Sequence, residues 1–272
     1  MVKLADTLAL GASAARLEGS TPSLPTRSWR FLPRTCLHSA GRLLSHPMKI
    51  IFQNKNFVVV DKPTGLAVHS GIGIKEKTLV DFLIEKFPEI KNVGDDKINR
   101  PGIIHRLDKE TSGVMVVARN QETFDYLKNL FKNRKVGKKY LALVHGKLKE
   151  KVGKIEGEMG RSKRDFRKQA LTRGKVSVRK ERYSLTHYKA IKEYDDYTLL
   201  EVFPKTGRMH QIRVHLHAIG HPVVGDKKYT FKKYKKLKAP RMFLHAGEIS
   251  FIDRDGKHKT FKSDPPGTFQ WF

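Results

Sequence analysis

His105-Arg106-Leu107-Asp108-Lys109-Glu110-Thr111-Ser112-Gly113 is a dense polar run between two apolar ones. Gly102-Ile103-Ile104 precedes it, and Val114-Met115-Val116-Val117-Ala118 follows it. The following run has the unbroken apolar pattern of a buried strand. A carboxylate between Arg106 and Lys109 at the mouth of such a strand suits acid–base or nucleophilic work. The plainer reading is a charged turn, and the rest of the chain decides between them.

The chain has 272 residues, room for one large domain or two small ones. Its formal net charge is +28. A charge that large calls for a polyanionic partner. The basic residues are spread over strands, loops and helices rather than gathered on one amphipathic helix. That favours nucleic acid over a membrane surface, and no membrane partner is expected. Cys36 is the only cysteine, which excludes an intrachain disulfide and a cysteine-based metal cluster and fits a reducing compartment. A monomer in the cytoplasm is expected.

Residues 1–47 differ in kind. They are rich in Ser, Ala, Pro and Arg, with few acids and one lysine, whereas lysine dominates the basic residues from Met48 onward. We expect 1–47 to be a disordered leader or an upstream extension, and 48–272 to be a single catalytic domain. If 1–47 is a genuine transit peptide, the location becomes mitochondrion or plastid.

From Met48 the pattern is regular. Lys49-Ile50-Ile51-Phe52 and Phe57-Val58-Val59-Val60 predict a strand pair, and Asp61-Lys62-Pro63-Thr64-Gly65 breaks it with turn chemistry. Thr78 with Asp81 predicts a capped helix whose Leu79, Phe82, Leu83 and Phe87 share a face, stopped by Pro88. Asn120 predicts a second cap, with Phe124, Leu127 and Phe131 inward. Lys139 to Val144 reads as a strand. Residues 147–182 are strongly basic and poorly periodic, so they read as loops and an irregular surface hairpin, either a solvated face or an RNA-contacting flap. Strands follow at 184–192 and 197–203. Ile212, Leu216 and Ile219, with Gly220 as the stop, predict a short helix. Tyr229, Phe231 and Tyr234 lie among lysines, where base stacking and core packing both fit. The last strands are 242–251 and 258–262.

Several chemistries find no home. His210, His215, His217 and His221 cluster, but without the i, i+4 pair and nearby acid of a zinc site, so no metal is expected. Gly71-Ile72-Gly73 lacks the third glycine of a phosphate loop. No Gly-x-Ser-x-Gly elbow is present. What remains is a carboxylate, several arginines, a strand tyrosine and a large basic surface. That set suits chemistry on a nucleotide taken out of its stack.

The nine-residue run resembles the signature of the RluA-type pseudouridine synthases. Further blocks resemble that family in order: Val60 to His69, Lys139 to Val144, Thr206 to His215 with Gly220 to Asp226, and Met242 to Ala246. The resemblance spans about 48 to 264. It implies an α+β fold, the pseudouridine synthase catalytic fold: a long mixed, mostly antiparallel sheet with flanking helices and a central cleft. It implies isomerisation of uridine to pseudouridine in rRNA or tRNA, with no cofactor. Position by position it makes Asp108 the catalytic aspartate, acting either on the sugar carbon or as a base toward a glycal. Tyr140 would stack on the uracil, and Arg213 would pair with Asp108. Arg106 would assist base flipping, with His105, Lys62, Arg208, His210 and Leu244 in the RNA-binding and flipping group. For His105 a satisfied polar neighbour is the plainer reading, and Tyr140 and Arg213 each have a bland alternative, a half-buried strand tyrosine and a surface arginine. No small RNA-binding domain of the kind many relatives carry is visible, so the 154–182 region is expected to help grip RNA.

Two rivals remain. One is a non-catalytic RNA-binding or ribosome-assembly factor on the same fold. The other is a glycosidase or nuclease, which needs a second carboxylate or a metal, and Glu110 lies too close in sequence to Asp108 to serve readily.

Overall fold

The computed structural model describes residues 48–71, 76–172, 178–234 and 239–271. The expectations for 1–47 fall outside these residues. Among them, ten strands form one sheet: β1 (Lys49–Gln53), β2 (Phe57–Lys62), β3 (Ser112–Ala118), β4 (Gly137–His145), β5 (Val152–Ser162), β6 (Gln169–Leu171), β7 (Val178–Glu193), β8 (Tyr197–Pro204), β9 (Leu244–Ile252) and β10 (His258–Lys262). Their order is β1-β2-β3-β9-β4-β8-β7-β5-β6, with β10 also on β9. Every pairing is antiparallel except β3 with β9. The described residues also form three α-helices, α1 (Leu79–Lys86), α2 (Gln121–Lys132) and α3 (Gln211–Ala218), and three short 3-10 turns. This is the α+β fold expected, with a long, mostly antiparallel sheet.

The helix starts follow their caps. The Asp81 carboxylate accepts the Thr78 backbone N–H at 2.7 Å and its hydroxyl at 2.8 Å. Asn120 Oδ1 accepts the Thr123 N–H at 2.9 Å. On α2 the buried side chains are Thr123, Phe124, Leu127 and Leu130. Phe131, expected inward, is only partly buried, and its ring stacks on His105 at 4.7 Å.

The stretch 147–182 is more regular than its sequence suggests. β5 and β7 pair from Val152↔Lys189 to Ser162↔Val178. Along β5, Ile155 and Met159 are buried while Lys154 and Glu156 are exposed. The alternation is real, but Gly153 and Gly157 occupy the intervening inward positions and carry no apolar signal. On β7 the buried positions are Val178, Ser184, Thr186 and Tyr188, of which only Val178 is aliphatic. The irregular hairpin is therefore corrected to two long paired strands.

Among the described residues, the two largest of four apolar clusters make up most of the core. One gathers β2, β3, α1 and α2 around Val58, Met115, Leu83 and Leu127. The other gathers β4, β5, β8 and α3 around Val144, Ile155, Leu200 and Leu216. Fully burying a side chain of this kind is worth about 1.5–3 kcal/mol. Tyr140 packs against both clusters. The parallel junction between the halves of the sheet is only two residue pairs long, Ser112↔His245 and Gly113↔Ala246. Gly113 has φ +119°, and a Cβ there would collide with the Ala246 backbone, so the junction needs glycine.

Candidate active site

The 105–113 run passes through this junction, and its loop faces a cleft between the two halves. Arg106, Asp108, Lys138, Tyr140, Arg208, His210, Arg213 and Leu244 all line that cleft. The turn after β2 backs the loop. Gly65 N–H donates to Lys109 O at 2.8 Å, and the Thr64 hydroxyl donates to Glu110 O at 2.7 Å. Thr111 N–H closes the loop on Asp108 O at 3.0 Å.

Asp108 Oδ2 accepts Arg213 Nη1 at 2.9 Å, so residues 105 positions apart in sequence meet. Arg213 is not a surface arginine: it is 7% exposed on α3. Its other edge is gripped by Asp226, with Nε to Oδ2 at 2.7 Å and Nη2 to Oδ1 at 2.8 Å. Burial alone disfavours the guanidinium charge, but Asp226 and Asp108 together outweigh it and hold the pKa above its ordinary value.

His210 opens α3 with a left-handed backbone, φ 58° and ψ 19°. Gln211 fixes that corner, its Oε1 accepting the Thr206 hydroxyl at 2.6 Å and Arg208 N–H at 3.0 Å. His210 Nε2 lies 3.9 Å from Asp108 Oδ1, and Nδ1 lies 2.8 Å from the Tyr229 hydroxyl. That hydroxyl accepts Gln169 N–H at 2.9 Å, which leaves its own proton to donate to His210 Nδ1. The His210 proton then sits on Nε2, facing Asp108. Burial, partly offset by Asp108, lowers the imidazole pKa and keeps it neutral.

Tyr140 presents its ring to the cleft from β4. Burial, with Asp108 second, raises its hydroxyl pKa above the ordinary value. At neutral pH it is an uncharged phenol. Arg106 donates Nη1 to His69 Nε2 at 2.8 Å, and His69 Nδ1 donates to Ser70 O at 2.7 Å. Arg208 donates Nε to Tyr183 O at 3.1 Å. Leu244 is buried and forms part of the cleft wall.

Two residues of the RNA-binding group are placed otherwise than expected. Lys62 is 0% exposed, and its ammonium donates to the carbonyls of Pro63, Leu66 and Lys109 at 2.9, 2.7 and 3.1 Å. Burial pushes it down to about 7, against Asp108 and Glu110. It buttresses the Asp108 loop from behind, its ammonium turned onto backbone carbonyls. His105 also turns inward, accepting Val116 N–H at Nε2 (3.1 Å) under the Phe131 ring. The plainer reading of His105 is the one the packing supports.

Two residues of the site, Asp226 and Lys138, carried no assignment from sequence, and Tyr229 carried two. Asp226 is the only acid between Glu201 and Glu248, a signal in itself within so basic a stretch. Lys138 lies two residues before Tyr140 on a strand, where alternation puts both on one face. Burial, then Lys205, lowers it to about 8. Tyr229 is buried against His210 rather than free to stack on a base. Phe231 stacks on His217 and Tyr234 on His145, at 4.5 and 3.9 Å, and both rings stay partly exposed, so core packing accounts for Tyr229 alone. Of the other histidines in the cluster, His215 meets Ser184 at 2.9 Å and His221 meets His145 O at 2.8 Å.

Paired carboxylate and guanidinium, a flat ring and a cationic rim define an enzyme that works on a base within an anionic chain. The sequence profile of the family described as RNA pseudouridylate synthase matches residues 56–218. Ribosomal large subunit pseudouridine synthase D of Borreliella burgdorferi is 37% identical over 229 residues, covering 83% of this chain and 68% of that protein. An uncharacterized RNA pseudouridine synthase of Aquifex aeolicus is 43% identical over 234 residues, covering 82% and 71%. Among solved structures, human RNA Pseudouridylate Synthase Domain Containing 1 superposes with a TM-score of 0.68 at 28% identity, covering 81% of this chain and 84% of that one. The chain belongs to the RNA pseudouridylate synthase family. Its reaction is the isomerisation of uridine to pseudouridine in RNA.

Proposed function

We propose that Asp108 is the catalytic carboxylate, and that the target uridine lies in ribosomal RNA. The observation that carries the first part is the line Asp108–Arg213–Asp226, in which one buried guanidinium is shared between two carboxylates. Asp226 fixes Arg213, and the Arg213 hydrogen bond holds Asp108 aimed into the cleft. The carboxylate then acts on the ribose, attacking C1′ or taking the 2′ proton to leave a glycal. Either course frees the uracil to turn and rejoin through C5.

The remaining residues position the substrate. The Tyr140 ring stacks on the uracil while it turns. His210 Nε2–H, 3.9 Å from Asp108 Oδ1, supports the carboxylate or an oxygen bound beside it. Arg106, exposed and held by His69, is placed to fill the space an extruded base leaves. Arg208 and Lys138 supply cations for the phosphates. The ribosomal reading rests on the name of the Borreliella relative.

Asp108→Asn is expected to abolish pseudouridine formation while RNA binding persists. Turnover retained in that variant refutes the assignment. Chemical mapping of pseudouridines in total RNA from a strain lacking the gene tests the substrate: the site that disappears is expected in ribosomal RNA, and one lost from tRNA overturns that part.

A further inference from the structure

The turn between β5 and β6 is built rigidly and ends in an apolar ring. Ser162 Oγ accepts the N–H groups of Arg164 and Asp165 at 3.2 and 3.3 Å. Asp165 Oδ1 accepts Arg167 N–H at 3.0 Å, and its carbonyl accepts Lys168 N–H at 2.9 Å. Ser162 N–H donates to Lys168 O at 2.9 Å, closing the loop. At its tip Phe166 is 72% exposed and has no ring contact among the described residues. Lys163, Arg164 and Arg167, all exposed, flank it.

Other exposed apolar side chains, such as Ile98, Val152 and Ile191, are aliphatic and scattered, which is ordinary for a surface. Phe166 differs in being an aromatic ring set among cations; the other exposed aromatic, Tyr183, is only 38% exposed and its hydroxyl donates to Glu156 at 3.1 Å. Phe166 is also tied to the cleft. Lys228 Nζ donates to Arg167 O at 3.2 Å, and Lys228 N–H donates to Asp226, the partner of Arg213. Three residues beyond Phe166, Gln169 N–H donates to the Tyr229 hydroxyl that holds His210 beside Asp108.

An open aromatic face among phosphate-seeking cations is how proteins hold unpaired bases. We propose that Phe166 is a stacking platform for an unpaired nucleotide near the target uridine, with Lys163 and Arg164 gripping its phosphates. The inference rests on RNA being the substrate of the adjoining cleft, and it adds a requirement: the target lies in a loop, bulge or junction, because bases inside a duplex have no free face to offer.

The test is binding by the full chain at fixed salt, to a single-stranded oligoadenylate octamer and to heparin, a polyanion without bases. Phe166→Ala is expected to weaken octamer binding about fivefold or more, leave heparin binding unchanged, and be rescued by Phe166→Tyr. In Phe166→Trp, the fluorescence added over wild type is expected to be quenched by the octamer and not by heparin. Octamer affinity within twofold of wild type in Phe166→Ala overturns the proposal. So does an equal loss for both ligands, which makes the ring a support for the basic turn. A changed oligomeric state with unchanged RNA affinity also overturns it, assigning the ring to a protein contact. Asp108→Asn is expected to match wild type in this assay, so failure of the catalytic assignment leaves this result standing.

Discussion

Asp226 lies behind the cleft, and its replacement is expected to cost both stability and rate. Its carboxylate accepts four donors: Arg213 Nε at Oδ2, and Arg213 Nη2, Lys228 N–H and Tyr229 N–H at Oδ1. In Asp226→Asn the single amide oxygen best replaces Oδ1, which retains three donors. The new NH2 group then faces Arg213 Nε–H, donor against donor. One charge-assisted hydrogen bond is lost, worth about 1.5–3 kcal/mol. Asp226→Ala loses all four and strands a buried guanidinium, at about 3–5 kcal/mol. Urea unfolding of the full chain measures both losses. Arg213 would also be free to tilt away from Asp108, and misplacement by about 1 Å costs roughly 100-fold in rate. Isomerisation releases the hydrogen on uracil C5, so tritium release from RNA labelled at that carbon reads the rate. An Asp226→Asn protein within about 0.5 kcal/mol of wild type, with full tritium release, would refute the role given to this carboxylate.

Other consequences are open to measurement. Tyr140→Phe is expected to keep most activity and Tyr140→Ala to lose about 100-fold, because the neutral phenol serves through its ring; equal loss in both would assign the work to the hydroxyl. Burial lowers His105 to about 3, and His145 and His215 to about 4. Unfolded, these imidazoles bind protons near pH 6.5, so the unfolded state holds more protons below that value. The stability they contribute is present above pH 6.5 and is lost as pH falls toward 4. The urea midpoint is expected to drop from pH 7.5 to 5.0, and less so in His105→Gln; no difference between the two proteins would count against burial as the cause. Arg208→Ala is expected to reduce the slope of log affinity against log salt by about 0.7 for single-stranded RNA, and an unchanged slope would remove Arg208 from the phosphate contacts.

What the sequence disclosed depended on whether each signal was local. The Asn120 cap and the turn after β2 are legible because donor and acceptor lie within a few residues. That Asp108, Tyr140 and Arg213 share one cleft was legible only through resemblance, since nothing in a strand tyrosine or a helical arginine announces a cleft. β5 stayed hidden because two of its inward positions are glycine. Lys62 was misplaced, and His105 was left between two readings, for a different reason: a polar side chain turned inward onto backbone groups leaves no mark that sets it apart from one turned outward. Asp226 drew no assignment because its partner, 13 residues away, is on α3.

The short parallel junction between β3 and β9 also bears on how the enzyme comes into being. Ser112 and His245 are 133 residues apart. Closing a chain segment of that length costs about 4 kcal/mol in entropy beyond a constant. Hairpins such as β1–β2 and β7–β8 form from near neighbours and need not wait for it. Until the junction closes, Asp108 and Arg213 belong to separate pieces of sheet, and the cleft does not exist. Activity is therefore expected to return in refolding no earlier than this junction closes.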